Sequence, residues 1–184
     1  MTLFQVKVIE SKINEPRNNY SKYAIEGLEQ GQGLTIGNAL RRVMLSELEG
    51  ISVIAARITN ANHEFSTIPN IREDAIEILL NLKELVFTGS IEGTQIGRLK
   101  VQGPGIVTAD QVELPPQLNF VDPSQYIATI SDNTILEIEM HIQKGCGYHI
   151  VERKTNLASI QLLPIDSVFM PVRKVNYDVE QVFS

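Results

Sequence analysis

Residues 37–46 read GNALRRVMLS, and they form the centre of a helix that the sequence predicts over Ile36–Leu48. Thr35 is the predicted N-terminal cap, because its hydroxyl can accept a hydrogen bond from a free backbone N–H of the first turn. Gly50 stands where a glycine commonly ends a helix. Helical spacing gives this segment two apolar-rich surfaces and a third surface of mixed character. The mixed surface carries Asn38, Arg42, Leu45 and Glu49.

Most of the remaining sequence predicts short β-strands, because apolar and polar residues alternate between turns that contain glycine or proline. A second helix is predicted over Arg72–Leu82, with acidic residues in its first turns, where the helix dipole favours them. The predicted fold class is therefore α+β, with two helices and mainly antiparallel sheets. No linker divides the chain cleanly, so if there are two domains we expect one to be inserted in the other. The predicted strands are Leu3–Ile9, Tyr23–Leu28, Ile51–Ile58, Val86–Ile91, Gly97–Val101, Ile127–Ile130, Ile135–Ile142, Tyr148–Val151, Val168–Phe169 and Val172–Val182, with a further short one at Glu64–Thr67 and turns at Asn14–Ser21 and Pro69–Asn70.

Composition argues against several classes of protein. Of the 184 residues, 43% are hydrophobic and 21% are charged, which is ordinary globular composition. The net charge of -6 opposes a general nucleic-acid-binding face, since phosphates repel a negative surface. The single cysteine, Cys146, cannot form an internal disulfide and gives no zinc-site spacing. We find no membrane span, secretory signal or transit peptide, so a protein that works in an organelle is expected to be made there.

A cysteine–histidine pair is one candidate chemical site. Cys146 together with His63, His141 or His149 would define a small α+β thiol enzyme. The sequence shows no motif with an orienting Asp or Asn and no metal-ligand spacing, which favours surface and loop positions for the histidines. A small α+β thiol enzyme that uses Cys146 is the alternative function that the sequence allows.

Two further patterns have simple structural interpretations. Gly31–Gly33 precedes a helix but lacks the Gly-Lys-Ser/Thr continuation and the glycine spacing of phosphate-binding loops. Glu73, Asp74 and Glu77 lie close together, and paired carboxylates serve as acid and base when burial shifts their pKa values. Their place on the polar side of an amphipathic helix predicts solvated charge instead.

Two adjacent arginines occupy the middle of the first helix. Arg41 and Arg42 cannot share a face, because consecutive residues are about 100° apart around the helix axis. We expect one to fold back along its own domain and the other to point outward. Arg42 and Leu45 are three residues apart, and an arginine beside an exposed leucine is typical of a protein–protein hot spot. A snorkelling surface arginine is the equally weighted alternative.

The run at residues 37–46 resembles the signature helix of RNA polymerase alpha subunits. The resemblance covers essentially the whole chain, and its separate motifs occur in the family's order. The sequence of residues 166–177 is most similar to that of plastid and cyanobacterial alpha subunits, and a red-algal type of plastid is the preferred source. The other matching segments are residues 63–67 (HEFST), 72–74 (RED), 77–83 (EILLNLK), 101–104 (VQGP), 107–109 (VTA), 144–148 (KGCGY) and 171–177 (PVRKVNY).

This resemblance implies a dimerisation domain formed by residues 1–50 and 164–184, with a β-rich domain inserted at residues 51–163. It implies that two copies pair and then recruit the beta and beta-prime subunits for DNA-templated transcription. Catalysis, with its magnesium and nucleotides, would belong to those larger subunits of the nucleotidyltransferase. The resemblance thus implies no catalytic, cofactor-binding or metal-binding residue in this chain, and a location in the plastid or otherwise in the cyanobacterial cytoplasm.

The resemblance also assigns contacts to individual positions. It implies a self-interface at Leu40, Arg41 and Met44, a beta contact at Arg42 and Leu45, and a beta-prime contact at Lys83, Ile165 and Asp166. The family continues past the position of Ser184 with another dimer-forming helix and a DNA-binding domain. We therefore expect weakened self-association and no direct DNA binding from this chain.

Overall fold

The computed structural model describes residues 4–150 and 161–181. Those residues contain two α-helices and many short strands, and every pairing between their strands is antiparallel. The α+β prediction is confirmed. The chain forms two compact units, which we call the split unit (Met1–Leu48 and Met170–Ser184) and the central unit (Glu49–Phe169). Neither helix in the described ranges is long and apolar enough to cross a membrane.

The split unit begins with a hairpin followed by a helix. Strands β1 (Gln5–Glu15) and β2 (Asn18–Glu26) pair along their length, and helix α1 spans Gln32–Ser46. Both strands extend further toward the hairpin tip than predicted, because the polar residues there remain paired across the ribbon. The turn consists of two residues beginning at Pro16, so the predicted turn over Asn14–Ser21 is too long.

Helix α1 begins earlier than predicted. Its N-terminal cap is Gly31, which has a φ of 87°, a left-handed conformation that glycine adopts without steric cost. The side chain of Gln32 accepts a hydrogen bond from the Glu29 N–H at 2.9 Å and closes the entry turn. Thr35 lies inside the first turn, where its hydroxyl donates to the Gly31 carbonyl oxygen at 3.4 Å. The prediction that Thr35 caps the helix is therefore wrong.

The end of α1 also differs from the prediction. The C-terminal cap is Glu47, whose backbone N–H donates to the Val43 carbonyl oxygen at 2.9 Å. Gly50 does not end the helix, because it lies in strand β3 (Glu49–Ile58). A Cβ at this position would lie 1.8 Å from the carbonyl oxygen of Phe169, so the glycine permits a close approach of two backbones.

Residues 170–181 of the split unit contain no helix or strand. The predicted strand Val172–Val182 is therefore wrong over its described part, and Val182 lies outside the described residues. The alternation that suggested a strand has another cause, because Tyr177 and Val179 both lie against α1. An extended segment that packs one side on a helix shows the same period-two pattern as a paired strand.

The central unit contains the remaining elements. The α-helix and strands after β3 are α2 (Ala75–Lys83), β4 (Phe87–Gly89), β5 (Gln95–Gln102), β6 (Gly105–Thr108), β7 (Val112–Glu113), β8 (Leu118–Phe120), β9 (Tyr126–Ile130), β10 (Ile135–Cys146), β11 (Tyr148–His149), β12 (Leu163–Pro164) and β13 (Ser167–Val168). The main sheet has five strands in the order β12-β3-β10-β5-β7, and the central unit also contains three two-stranded pairs, β4-β8, β6-β9 and β11-β13.

The core of the central unit forms between the five-stranded sheet and α2. On β10, alternate residues from Leu136 to Ile142 are buried, as expected for a strand with one face toward the core. Helix α2 begins three residues later than predicted, with Asp74 as its N-terminal cap. The Glu77 carboxylate accepts a hydrogen bond from the Asp74 N–H at 3.2 Å. The buried residues of α2 are Ala75, Ile78, Leu79 and Leu82.

Most strand predictions in the central unit are confirmed with shifted ends, but one is wrong. Residues Glu64–Thr67 contain a turn at Glu64 and Phe65 and no strand, because Ser66 satisfies the backbone of His63 locally. The Ser66 side chain accepts from the His63 N–H at 3.1 Å, and its own N–H donates to the His63 carbonyl oxygen at 3.0 Å. The predicted strand Tyr148–Val151 is shorter in the structure, and Val151 lies outside the described residues. Strands β6, β7, β8 and β12 are not predicted from the sequence.

Candidate protein-interaction surface

Helix α1 has no buried side chain in the chain taken alone. Leu34, Leu40 and Val43 are 59%, 42% and 47% exposed. A helix of 15 residues in a globular protein normally buries an apolar stripe, because propensity alone does not hold a helix of this length. The exposed apolar side chains of α1 therefore form a surface that another molecule can cover.

The residues of the implied self-interface lie along this helix. Leu40 and Arg41 are exposed, and Met44 is half-buried. Leu40, Val43 and Met44 are spaced three and four residues apart, so their side chains lie on one side of α1. Leu40 and Val43 are both exposed and neighbouring, so they provide the contiguous apolar contact that a symmetric helix pair needs.

The two arginines occupy different surroundings, as the helical geometry predicts. Arg41 lines a groove of about 450 Å³ together with Tyr177 and Asp178 of the same unit. Arg42 is exposed and makes no ion pair with any residue in the described ranges. Leu45 is half-buried, so it is less exposed than the hot-spot interpretation assumes.

The hairpin of the split unit also exposes apolar side chains. A two-stranded ribbon is marginally stable on its own in water, and it gains stability when another surface covers one of its faces. The pairs Val6–Ile25 and Val8–Tyr23 are direct cross-strand neighbours. The most exposed apolar side chains of the ribbon are Ile13 (78%), Val8 (63%), Ile9 (59%), Val6 (58%) and Tyr23 (55%).

The implied beta-prime contacts lie in the central unit and differ in exposure. The Lys83 ammonium lies 5.4 Å from the centre of the Tyr148 ring, a cation–π contact that orients the lysine at the end of α2. Ile165 is only 4% exposed and belongs to the core, with its N–H donating to the Ile54 carbonyl oxygen at 2.9 Å. Asp166 is exposed. Of the neighbouring Ile165 and Asp166, only the aspartate presents its side chain at the surface.

The thiol-enzyme alternative gains no support from the structure. Cys146 lies at the exposed end of β10, opposite Glu49 in the register. His141 is five positions earlier on the same strand, which separates the two Cα atoms by about 16 Å and directs the side chains to opposite faces. His149 is exposed on the short strand β11. No group of three or more metal-ligating side chains occurs in the part of the chain that the structure describes.

One of the three clustered carboxylates is buried, contrary to the sequence interpretation. Glu73 is 8% exposed, and its carboxylate accepts hydrogen bonds from the Tyr126 hydroxyl and from the Thr129 N–H, the latter at 2.8 Å. The interpretation fails because Glu73 precedes the cap of α2 and does not follow the polar face of the helix. Burial first, and the hydrogen bond to Glu73 second, raise the pKa of Tyr126 above its usual 10.0. This cluster joins the start of α2 to β9, so its role is structural.

Comparisons with known proteins agree with this arrangement. The family model described as the RNA polymerase Rpb3/RpoA insert domain matches residues 56–170. That match covers more than half of the chain, and the chain belongs to this family. The resemblance found in the sequence is thereby confirmed.

The curated relatives carry a common name, DNA-directed RNA polymerase subunit alpha. That of Porphyra purpurea is 56% identical over 182 residues, which are 99% of this chain and 58% of the relative. That of Rhodomonas salina is 53% identical over 184 residues, 100% of this chain and 59% of the relative. That of Cyanophora paradoxa is 50% identical over 183 residues, 100% of this chain and 58% of the relative. The chain thus spans a little under three fifths of the length of these relatives.

Proposed function

We propose that this chain is an assembly subunit of a DNA-directed RNA polymerase, which pairs with a second copy and recruits the beta and beta-prime subunits. The observation that carries the proposal is helix α1, which has 15 residues and buries none of them in the chain taken alone. Relatives named as polymerase alpha subunits match the chain over nearly all its length, which supports the identity of the partners.

The self-interface is proposed at Leu40, Arg41 and Met44. Leu40 supplies an exposed apolar side chain, and Met44 adapts its flexible thioether to an opposing surface. Arg41 borders the groove beside residues 176–179, so it is placed to contact a second copy from the rim of the interface. A C2 pair would use this one surface on both chains.

The beta contact is proposed at Arg42 and Leu45, on the third surface of α1. A guanidinium that makes no ion pair within the described residues can form a bidentate bond with a partner's carboxylate. Leu45, three residues on, would exclude water from that bond. The beta-prime contact is proposed at Lys83 and Asp166, two side chains of the central unit with opposite charge, with Ile165 supporting the backbone beneath Asp166.

The division of the chain supports a division of tasks. The central unit, Glu49–Phe169, is proposed as the inserted domain, and its bounds are close to the residues 56–170 of the family match. The nucleotidyltransferase chemistry, with its metal ions and nucleotides, is assigned to the larger subunits. The algal origin of the named relatives supports work in the plastid.

Substitution of Arg42 tests the beta contact. Arg42→Ala should weaken binding of the beta subunit by about 2 kcal/mol, because truncation leaves the partner's desolvated group unpaired. The free energy of unfolding should stay unchanged, since Arg42 is exposed. Binding is measured by titrating labelled beta subunit with the purified chain, and unfolding is followed in urea.

The matched control is Arg98→Ala, which removes an exposed arginine that belongs to the central unit and lies outside the proposed beta contact. It should bind beta like the wild type. Equal affinity of the Arg42→Ala variant and the wild type would remove Arg42 from the proposed contact.

A further inference from the structure

The segment 176–179 lies across α1 at two glycines. A Cβ at Gly37 would lie 2.4 Å from the Tyr177 ring, and a Cβ at Gly33 would lie 3.0 Å from a Val179 methyl. Gly33 and Gly37 are four residues apart, so they form one stripe on the helix surface. The missing side chains leave a shallow channel in which the Tyr177 ring and the Val179 side chain sit directly on the helix backbone.

A polar contact fixes the ring within this channel. The Tyr177 hydroxyl donates a hydrogen bond to the Asn38 side-chain oxygen at 2.6 Å. Arg41 continues the stripe of Gly37 and lines the groove beside Tyr177, whereas Arg42 lies one turn beyond Asn38. Tyr177 therefore contacts Gly37, which lies one turn before Arg41, and Asn38, which lies one turn before Arg42.

Because α1 has no buried side chain, few contacts within the described split unit set its rotation about its own axis. We propose that Tyr177 is a positioning residue, which sets the orientation of α1 so that Leu40 and Arg42 face their respective partners. This inference rests on the proposed function for the identity of those partners, but the contact between Tyr177 and α1 does not.

The test is a double-mutant cycle on Gly37 and Tyr177. Alanine has a higher helix propensity than glycine. If Tyr177 does not position α1, Gly37→Ala alone should therefore improve pairing. We expect the opposite: dimer association and beta binding should each weaken about tenfold or more, because the methyl group displaces the ring. In the Tyr177→Ala background, where the ring is absent, Gly37→Ala should no longer weaken pairing, and only the gain from helix propensity should remain.

Two milder variants guard against loss of folding. Tyr177→Phe keeps the ring but removes the bond to Asn38, and Gly33→Ala meets a Val179 methyl at 3.0 Å, a less severe approach than that of Gly37→Ala to the ring. Each should weaken pairing less than Gly37→Ala does. Pairing is measured by sedimentation, and binding by titration of the beta subunit.

Hydrogen exchange of the α1 amides separates the two hypotheses. In Gly37→Ala and Tyr177→Ala these amides should exchange faster than in the wild type, whether or not the chain pairs. A wild type that neither pairs nor binds beta contradicts the proposed function, while faster exchange in the variants still supports the positioning contact. The inference is overturned if the α1 amides of Gly37→Ala exchange as in the wild type and the variant pairs at least as tightly as the wild type.

Discussion

The central unit and helix α1 of the split unit differ in where their apolar side chains lie. In the central unit, the sheet and α2 enclose a continuous core, and residues such as Ile78, Leu82 and Met140 are fully buried. Helix α1 is longer than α2, yet it buries no side chain. The first arrangement stabilises a fold by itself, whereas the second leaves its apolar surface available for a partner. Substitutions should therefore affect folding in one region and association in the other.

The largest effect is expected in the core of the central unit. Leu82 is 0% exposed on α2, and Leu82→Ala should lower the free energy of unfolding by about 2–5 kcal/mol, from lost burial and the cavity left behind. Chemical denaturation in urea measures this change. Leu80→Ala is the matched control on the same helix, since Leu80 is 56% exposed, and it should change stability by less than about 1 kcal/mol. Similar losses in both variants would contradict the assignment of the two faces of α2.

The buried carboxylate should give the next largest effect. Glu73→Gln replaces an acceptor that receives bonds from Tyr126 and Thr129, and it should cost about 1–3 kcal/mol of folding stability. Glu92→Gln is the control, because Glu92 is an exposed glutamate of the same unit. The two variants are compared by thermal unfolding. An unchanged melting temperature for Glu73→Gln would mean that the carboxylate is solvated after all.

Helix α1 should respond in the opposite way. Leu40→Ala should leave the free energy of unfolding of the single chain within about 0.5 kcal/mol of the wild type. It should weaken self-association by about 1–2 kcal/mol, because the side chain becomes buried only in the pair. Sedimentation velocity over a dilution series measures the association. A variant that loses stability without losing association would reverse the comparison between the two regions.

The smallest effect concerns alkaline pH. The raised pKa of Tyr126 means that its neutral hydroxyl stabilises the folded state below pH 10.0, and that this contribution is lost as pH rises through the folded-state pKa. Between about pH 8 and about pH 11, the wild type should lose more stability than Tyr126→Phe does. Tyr148→Phe removes an exposed tyrosine and should follow the wild type. Parallel curves for all three proteins would contradict this cause of the shift.

The sequence predicts features that depend on local periodicity and fails where distant residues decide. The surfaces of α1 and the different settings of Arg41 and Arg42 follow from helical spacing. The burial of Glu73 does not, because its partner Tyr126 is 53 residues away in sequence. The burial of Ile165 does not follow from the sequence either, because it depends on the hydrogen bond from Ile165 to Ile54 of β3, which is distant in sequence. The cap at Gly31 does not follow from the sequence, because Thr35 also fits a helix start and no residue pattern marks the left-handed conformation of Gly31.

The mass of the chain in solution tests the central claim most directly. A single chain has a mass of 20.5 kDa. Sedimentation equilibrium should show a weight-average mass that rises with concentration toward twice this value, as two copies cover the exposed surface of α1. A mass that stays at 20.5 kDa over the whole concentration range would contradict the account, because it would show that a second copy does not cover the exposed apolar side chains of α1.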